Sequence, residues 1–199
     1  TTVEMSDTLY GLFFEDINYG ADGGLYAELL RNRSFEYEDI LNPQRHQHLN
    51  GWIFNLNYKA KGKAAVMTEN PLNENNPTYV RVTCTAGEYR FANEGYQASI
   101  LKGGVPVEAG KEYRCFVYLR NAGDFDGTVE IALTQRTGKA LAESGRFALT
   151  GEWQKYELTF RADATDDAVL SFILHGTGSV DVDMASLIPA DAFGAEWPN

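Results

Sequence analysis

Two hydrophobic rhythms divide the chain. Residues 8–15, "TLYGLFFE", form a continuous apolar run closed by an acid. That is the pattern of a strand buried on both faces, as in a parallel sheet. "DINYGADGG" follows as a loop. "GLYAELLRN" then sets Leu25 with Leu29, and Tyr26 with Leu30, at helical spacing, so the pattern predicts a short amphipathic helix. Residues 39–50, "DILNPQRHQHLN", are polar, contain a proline and read as a linker.

From Trp52 onward the period shortens to two. The pattern predicts strands near 52–57, 63–69, 78–85, 88–93, 97–101, 111–120, 127–135, 140–149, 153–162, 167–175 and 179–187. "TVEIALTQ" puts Val129, Ile131 and Leu133 on one face, and "YELTF" does the same with Tyr156, Leu158 and Phe160. Turns such as "AGDFDG", "RTGK" and "HGTG" supply the Gly and Asp that tight connections need. The expected fold is therefore mainly β: an antiparallel β-sandwich of jelly-roll, galactose-binding-like type, preceded by one βα segment. The boundaries are residues 1–43 for the βα segment, 44–190 for the sandwich, and 191–199, "DAFGAEWPN", for a second linker.

Composition supports strands over bundled helices. Eleven Tyr, eleven Phe and nineteen Gly in 199 residues favour sheets and turns. The net charge of −11 argues against nucleic acid and anionic membranes as partners, while a neutral polymer would not be repelled. No run of eighteen apolar residues marks a transmembrane helix. The residues at the start of the sequence are not expected to act as a signal peptide, and the compartment is not legible. Cys84 and Cys115 both fall in predicted strands, as two buried thiols or as a disulfide between neighbouring strands. "NRS" at Asn32 is a short glycosylation sequon.

Catalytic patterns are weak. Glu15 and Asp16 are adjacent on a strand and point to opposite faces, so they cannot form a facing carboxylate pair. No G-x-S-x-G elbow occurs, neither Cys has a local His, and no phosphate-binding loop has the right spacing. An independent active site is thus the least favoured reading. "HQH" at His46 and His48 lacks a third ligand and reads as a polar linker. "VDVDM" aligns Asp181 and Asp183, either as hard oxygen ligands suited to Ca²⁺ or as solvent-facing acids on an edge strand. Sugar binding needs flat aromatic faces beside planar hydrogen-bonding groups. Trp52, Tyr58, Tyr89, Tyr96, Tyr118 and Trp153 are candidates, with Trp52 and Trp153 better explained as packing residues of the sandwich. Tyr96, in "ANEGYQAS" beside Asn93 and Glu94, is the best ligand candidate.

Two sets of residues resemble a known family. "LYGLFFEDINYGADGGLYAELLRNRSFE" closely resembles the opening of the catalytic domain of family 51 glycoside hydrolases, the α-L-arabinofuranosidases. "TENPLNENNP", "NEGY", "VEAGKEYRCFVYLR", "TGEWQKYELTF" and "VDVDMASLIPADAF" resemble, in order, the CBM4/9-type carbohydrate-binding module inserted after the first strand and helix of the barrel in a subgroup of those enzymes. The resemblance implies a truncated (β/α)₈ barrel segment carrying an inserted module. The acid/base and nucleophile Glu of that retaining family would lie past Asn199. The parent enzyme would act on arabinan or arabinoxylan by double displacement, and this region would be inactive alone.

The resemblance further implies that Glu15, at the end of the first barrel strand, positions arabinose, with Asn18 as a neighbour in the following loop. It puts a sugar-binding surface at Tyr96, Asn93 and Gln97. Gln97 stands where the module usually has Trp, which favours the alternative of a non-binding structural module that shapes the parent enzyme's cleft. The expected partner is a plant cell-wall polysaccharide or oligosaccharide. No cofactor is required, and Asp183 is placed as a ligand of a structural Ca²⁺. The apolar residues 8–14 expect cover, either from the sandwich edge or from a second copy of the chain, which would make a homo-oligomer.

Overall fold

The computed structural model describes residues 27–37, 49–54, 59–96 and 104–192. Among them run eleven strands: β1 (Trp52–Phe54), β2 (Lys61–Met67), β3 (Tyr79–Ala86), β4 (Glu88–Asn93), β5 (Val105–Val107), β6 (Glu112–Asn121), β7 (Thr128–Thr134), β8 (Ala140–Phe147), β9 (Gln154–Arg161), β10 (Asp166–His175) and β11 (Gly178–Pro189). They form two sheets. One has the order β1-β4-β10-β7-β8, with β5 paired to β10, and the other the order β2-β3-β11-β6-β9. Every pairing is antiparallel. The mainly β sandwich expected from the two-residue period is thus present.

The period also decides which side chains meet. In the first sheet Phe172 of β10 lies opposite Phe91 of β4 and Ile131 of β7. In the second, Val182 of β11 lies opposite Val80 and Leu119. All six are buried in one shared core cluster. Burial of a side chain of this size contributes ~1.5–3 kcal/mol, so these facing rows are the main stabilising element.

Residues 27–37 complete that core. Leu30 and Phe35 are fully buried in it. Phe35 lies 4.8 Å from the Trp52 ring, which stacks on Phe91 at 4.7 Å and only 8° from parallel. The Trp52 indole N–H donates to the Asn32 carbonyl at 2.9 Å. Trp52 is therefore a packing residue, as its position after Gly51 suggested.

Several expectations differ from the structure. Residues 27–32 of the predicted 24–32 helix are not helical. Ala27 and Asn32 have φ of 53° and 52°. Instead of bonding within a helix, the Leu29 amide donates to the Leu187 carbonyl and the Leu30 amide to the Glu28 carboxylate. Contacts with β11 thus override local helix propensity. β11 is not an edge strand: it lies between β3 and β6, and Asp181 and Asp183 are buried, not solvent-facing. Cys84 and Cys115 are both buried free thiols, and the disulfide alternative is not realised. Their strands are separated by β11.

The pattern does not predict β5, because Pro106 interrupts so short a run. Proline is tolerated there opposite Asp167 on a peripheral three-residue pairing. Glu15, Asn18 and residues 8–14, the His46/His48 pair, Tyr58, Gln97, the predicted 97–101 strand and residues 193–199 lie outside the described residues. No helix among the described residues is long and apolar enough to cross a membrane.

Candidate functional site

The outward face of the β2-β3-β11-β6-β9 sheet carries an unusual buried charge. Asp181 of β11 is fully buried. Arg81 on β3 grips it as a fork, with Nε to Oδ1 at 2.7 Å and Nη2 to Oδ2 at 3.0 Å. Arg120 on β6 adds Nε to Oδ2 at 2.9 Å. Register requires this arrangement, because Arg81 and Arg120 are the direct neighbours of Asp181 on either side. The fork raises the pKa of Arg81, chiefly through its hydrogen bond to Asp181.

Arg120 then reaches beyond the pair. Its Nη1 donates to the Asn70 carbonyl at 3.1 Å and its Nη2 to the Tyr79 hydroxyl at 3.2 Å. The guanidinium lies 4.5 Å from the Trp153 ring centroid and 5.3 Å from that of Tyr79. The Trp153 indole N–H also points to the Asn70 carbonyl, at 3.5 Å. The Tyr79 hydroxyl donates to the Glu69 carbonyl at 2.8 Å. Trp153 therefore does not pack between the sheets, as its sequence position suggested. It is half-buried on the outer face, where it stacks against Arg120.

These contacts hold the loop between β2 and β3. Within it, the Asn75 amide donates to the Asn73 side-chain oxygen at 2.9 Å, and the Asn76 amide to the Asn73 carbonyl at 3.1 Å. Asn side chains that close a turn on their own backbone favour such tips. The tip faces a cleft of ≈ 570 Å³ lined by Leu72, Asn73, Glu74, Asn75, Tyr118 and Met184. That volume falls within the ~300–1,000 Å³ typical of small-ligand clefts. Tyr118 comes from β6. Met184 comes from a β-bulge in β11, between Asp183 and Ser186, and adopts a φ of 49°. The bulge aims Met184 outward, as extra residues in a ladder do.

Asp183 stands in register with Tyr118, so the two share this face. Its Oδ1 accepts the Met184 amide at 2.7 Å, while its Oδ2 is buried without a hydrogen-bond partner. Burial pushes the carboxyl up to about 7, with the Glu36 charge adding to the effect. Glu36 itself accepts the Thr78 amide at 2.7 Å and the Thr78 hydroxyl at 2.8 Å. Among the described residues, no group of three or more His, Cys, Asp or Glu side chains converges as a metal site.

The Tyr96 surface lies on the other sheet, just past β4. Tyr96 is half-buried. Asn93 is fully buried, and its amide is occupied by the backbone. Nδ2 donates to the Arg31 carbonyl at 2.8 Å, and Oδ1 accepts the Gly95 amide at 2.8 Å and the Arg31 amide at 3.3 Å. Asn93 thus anchors the 27–37 segment and the turn at Gly95, whose φ is 64°. Glu94 pairs with Arg136 on the same rim. Tyr89 is a core residue.

This fold agrees with what the chain is similar to. The profile of the carbohydrate-binding domain family of type 4/9 matches residues 27–181. The chain belongs to that family. The matched span begins within the 27–37 segment that packs against the sandwich. An extracellular exo-α-L-arabinofuranosidase from Streptomyces chartreusis is 37% identical over 190 residues, covering 95% of this chain and 21% of the relative. Alpha-L-arabinofuranosidase 2 of Arabidopsis thaliana is 31% identical over 199 residues, covering 94% of this chain and 28% of the relative. The chain therefore spans only 21% and 28% of these relatives' length. A solved Clostridium thermocellum endo-1,4-β-D-xylanase structure, with CBM22-1 and GH10 modules and bound xylohexaose, has a TM-score of 0.55 at 15% identity. That match covers 86% of this chain and 30% of the other, and it concerns the fold alone.

Sequence reasoning missed Asn73, Glu74, Asn75 and Met184 as a group, and the role of Arg120. "TENPLNENNP" carried a signal in its own right: four planar polar side chains in a proline-bracketed loop, Asn73 to Asn76, next to a strand. Nothing in the sequence links that loop to Tyr118 and Met184, which lie more than forty and a hundred residues away.

Proposed function

We propose that this chain is the carbohydrate-binding accessory region of a larger arabinofuranosidase, and that it binds a neutral plant cell-wall glycan in the cleft beside Tyr118. One observation carries the reading. In a member of a carbohydrate-binding family, the cleft sets one aromatic ring against the planar side chains of Asn73, Glu74 and Asn75. Such a ring can stack on the C–H face of a sugar while amide and carboxylate groups bond its hydroxyls. The parent enzyme would release arabinofuranosyl groups from arabinan or arabinoxylan, with Glu15 and Asn18 contributed to its substrate site.

Calorimetric titration with arabinan, arabinoxylan and xylo-oligosaccharides tests the proposal. Heat should appear with at least one of them and vanish in Tyr118→Ala, and should persist in Tyr96→Ala. Loss in Tyr96→Ala alone would move the site to the surface around Tyr96 and Gln97. The absence of heat with every glycan would favour the non-binding module that shapes the parent enzyme's cleft, a reading supported by Gln97 and by the occupied amide of Asn93.

The same chain invites a structural Ca²⁺ at Asp183. An oxygen acceptor with an unmet lone pair, beside the Glu36 carboxylate, suits a hard cation, with carbonyls and water completing the shell. In the parent enzyme the barrel would cover residues 8–14; in this chain the sandwich edge or a second copy would do so, and sedimentation should report the latter as a dimer.

A further inference from the structure

We infer that Arg120 is the positioning residue of the cleft: it fixes the wall formed by Leu72–Asn75 without touching the ligand. The inference rests on the carbohydrate reading only for what the wall binds. Its basis is how the loop is attached. The tip, Asn73 to Asn76, bonds to itself. The N-terminal end of the loop is tied to the sheet through two carbonyls, Glu69 to the Tyr79 hydroxyl and Asn70 to Arg120 and Trp153. Asn70 has a φ of 52°, a left-handed conformation that asparagine tolerates and that marks a sharp turn at the point of attachment. Its carbonyl receives two donors, from Arg120 and from the Trp153 indole.

Arg120 is suited to this task by geometry. A guanidinium presents five donors in a rigid plane and can stack on an aromatic face at the same time. Here one edge is fixed by buried Asp181, one face lies against Trp153, and the remaining donors are left for Asn70 and Tyr79. The position of Asp181 is itself set by the sheet ladder. At this end of the loop, Arg120 is the side chain that links the wall directly to Asp181 and so to the ladder of β11. A preordered wall lowers the ordering cost of ligand binding.

Two roles for Arg120 are separable. If it only neutralises Asp181, Arg120→Lys suffices, because an ammonium can still pair with the carboxylate. If it positions the wall, lysine fails, since a point charge cannot also bridge to Asn70 and lie flat on Trp153. The experiment uses the full chain and compares wild type, Arg120→Lys and Trp153→Ala. The last leaves both arginines on Asp181 but removes the surface that orients Arg120 together with the indole's own bond to Asn70, so Arg120→Lys, which keeps Trp153, isolates the arginine's part. Hydrogen exchange of the Asn75 and Asn76 amides is measured without ligand, and glycan affinity by calorimetry.

Both variants should exchange these amides about tenfold faster than wild type and bind glycan about tenfold more weakly, with exchange in β11 and β6 unchanged. Wild-type exchange or wild-type affinity in Arg120→Lys would overturn the inference, and loosening in Trp153→Ala alone would assign the wall to the indole instead. If wild type binds no glycan yet both variants loosen the loop, the positioning role stands and the carbohydrate reading falls. Because exchange is read without ligand, the two failures are distinguishable.

Discussion

Replacing Asp181 with Asn tests whether the buried charge on the outer sheet face stabilises the fold. Asp181 is fully buried and accepts three charge-assisted bonds, from Arg81 Nε and Nη2 and from Arg120 Nε, at 2.7, 3.0 and 2.9 Å. Each such bond contributes a net ~1.5–3 kcal/mol. Their simple sum overestimates the effect, because an uncompensated arginine at this surface can rehydrate. The Arg81 side chain is 32% exposed and that of Arg120 is 15% exposed. Breaking a buried pair costs ~3–5 kcal/mol, and this partial exposure points to the lower end, about 3 kcal/mol. For a domain of this length each kcal/mol lowers Tm by ~2–4 °C, so the variant should melt about 6–12 °C below wild type. Urea denaturation followed by tryptophan fluorescence measures the loss directly, with m unchanged. The gap should persist in high salt, because a buried pair is screened little. A cost under about 1 kcal/mol would refute the reasoning: the cluster would then order the surface without stabilising the fold.

Three further outcomes follow from the same geometry. Glu28 is buried and burial raises its pKa above the usual carboxylate value, against the pull of its bonds to Leu187, Ser186 and Leu30. The folded state therefore holds the proton more tightly than the unfolded state, and this contribution is present at low pH and lost as pH rises through the native pKa. Tm of wild type relative to Glu28→Gln should fall as pH increases above the ordinary glutamate range, and parallel profiles would exclude the effect. If Asp183 holds Ca²⁺, added Ca²⁺ should raise Tm over that in chelator, by ~2.7 kcal/mol of stability at a hundredfold excess over Kd, and Asp183→Asn should abolish the difference. Equal melting curves with and without the ion would remove the metal site. Phe35→Ala should cost ~3–5 kcal/mol, because this ring is fully buried against Trp52. A cost below about 1 kcal/mol would detach residues 27–37 from the core.

Strand existence was legible where the period of two was intact. "TVEIALTQ" and "YELTF" became β7 and β9 with the predicted faces, since alternation alone decides which side chains point inward. Placement within the sheet was not legible. "VDVDM" shows that two acids share a face, but only Arg81 and Arg120, brought in from β3 and β6, show that this face is buried at Asp181. Residues 27–32 of the predicted helix departed from expectation for the opposite reason. Their spacing is helical, but the Glu28 carboxylate accepts from Ser186 and Leu187 and draws the segment onto β11. Asn93 looked like a sugar ligand because a planar amide beside a tyrosine suits that role. The same amide equally suits holding two backbone segments together, and sequence does not distinguish the two.

The cleft is clamped from both ends of its loop, and the two clamps differ in origin. Arg120 holds the start at Asn70, from within the sandwich. Glu36 holds the end, where Thr78 leads into β3, and it belongs to the 27–37 segment. That segment also grips the β11 bulge, through Glu28 on Ser186 and Leu187 and through the Arg33 carbonyl on the Ala185 amide. The bulge supplies Met184 to the cleft. The loop wall and the bulge that carries Met184 are thus both attached to the stretch of chain that precedes the sandwich. Glu36→Gln weakens only one of these grips, since a side-chain amide offers a single oxygen to the two Thr78 donors. It should loosen Asn75 and Asn76 in hydrogen exchange while leaving β11 protected. Unchanged exchange there would show that the loop is held from the Arg120 side alone, and that the preceding segment supports the core without shaping the cleft.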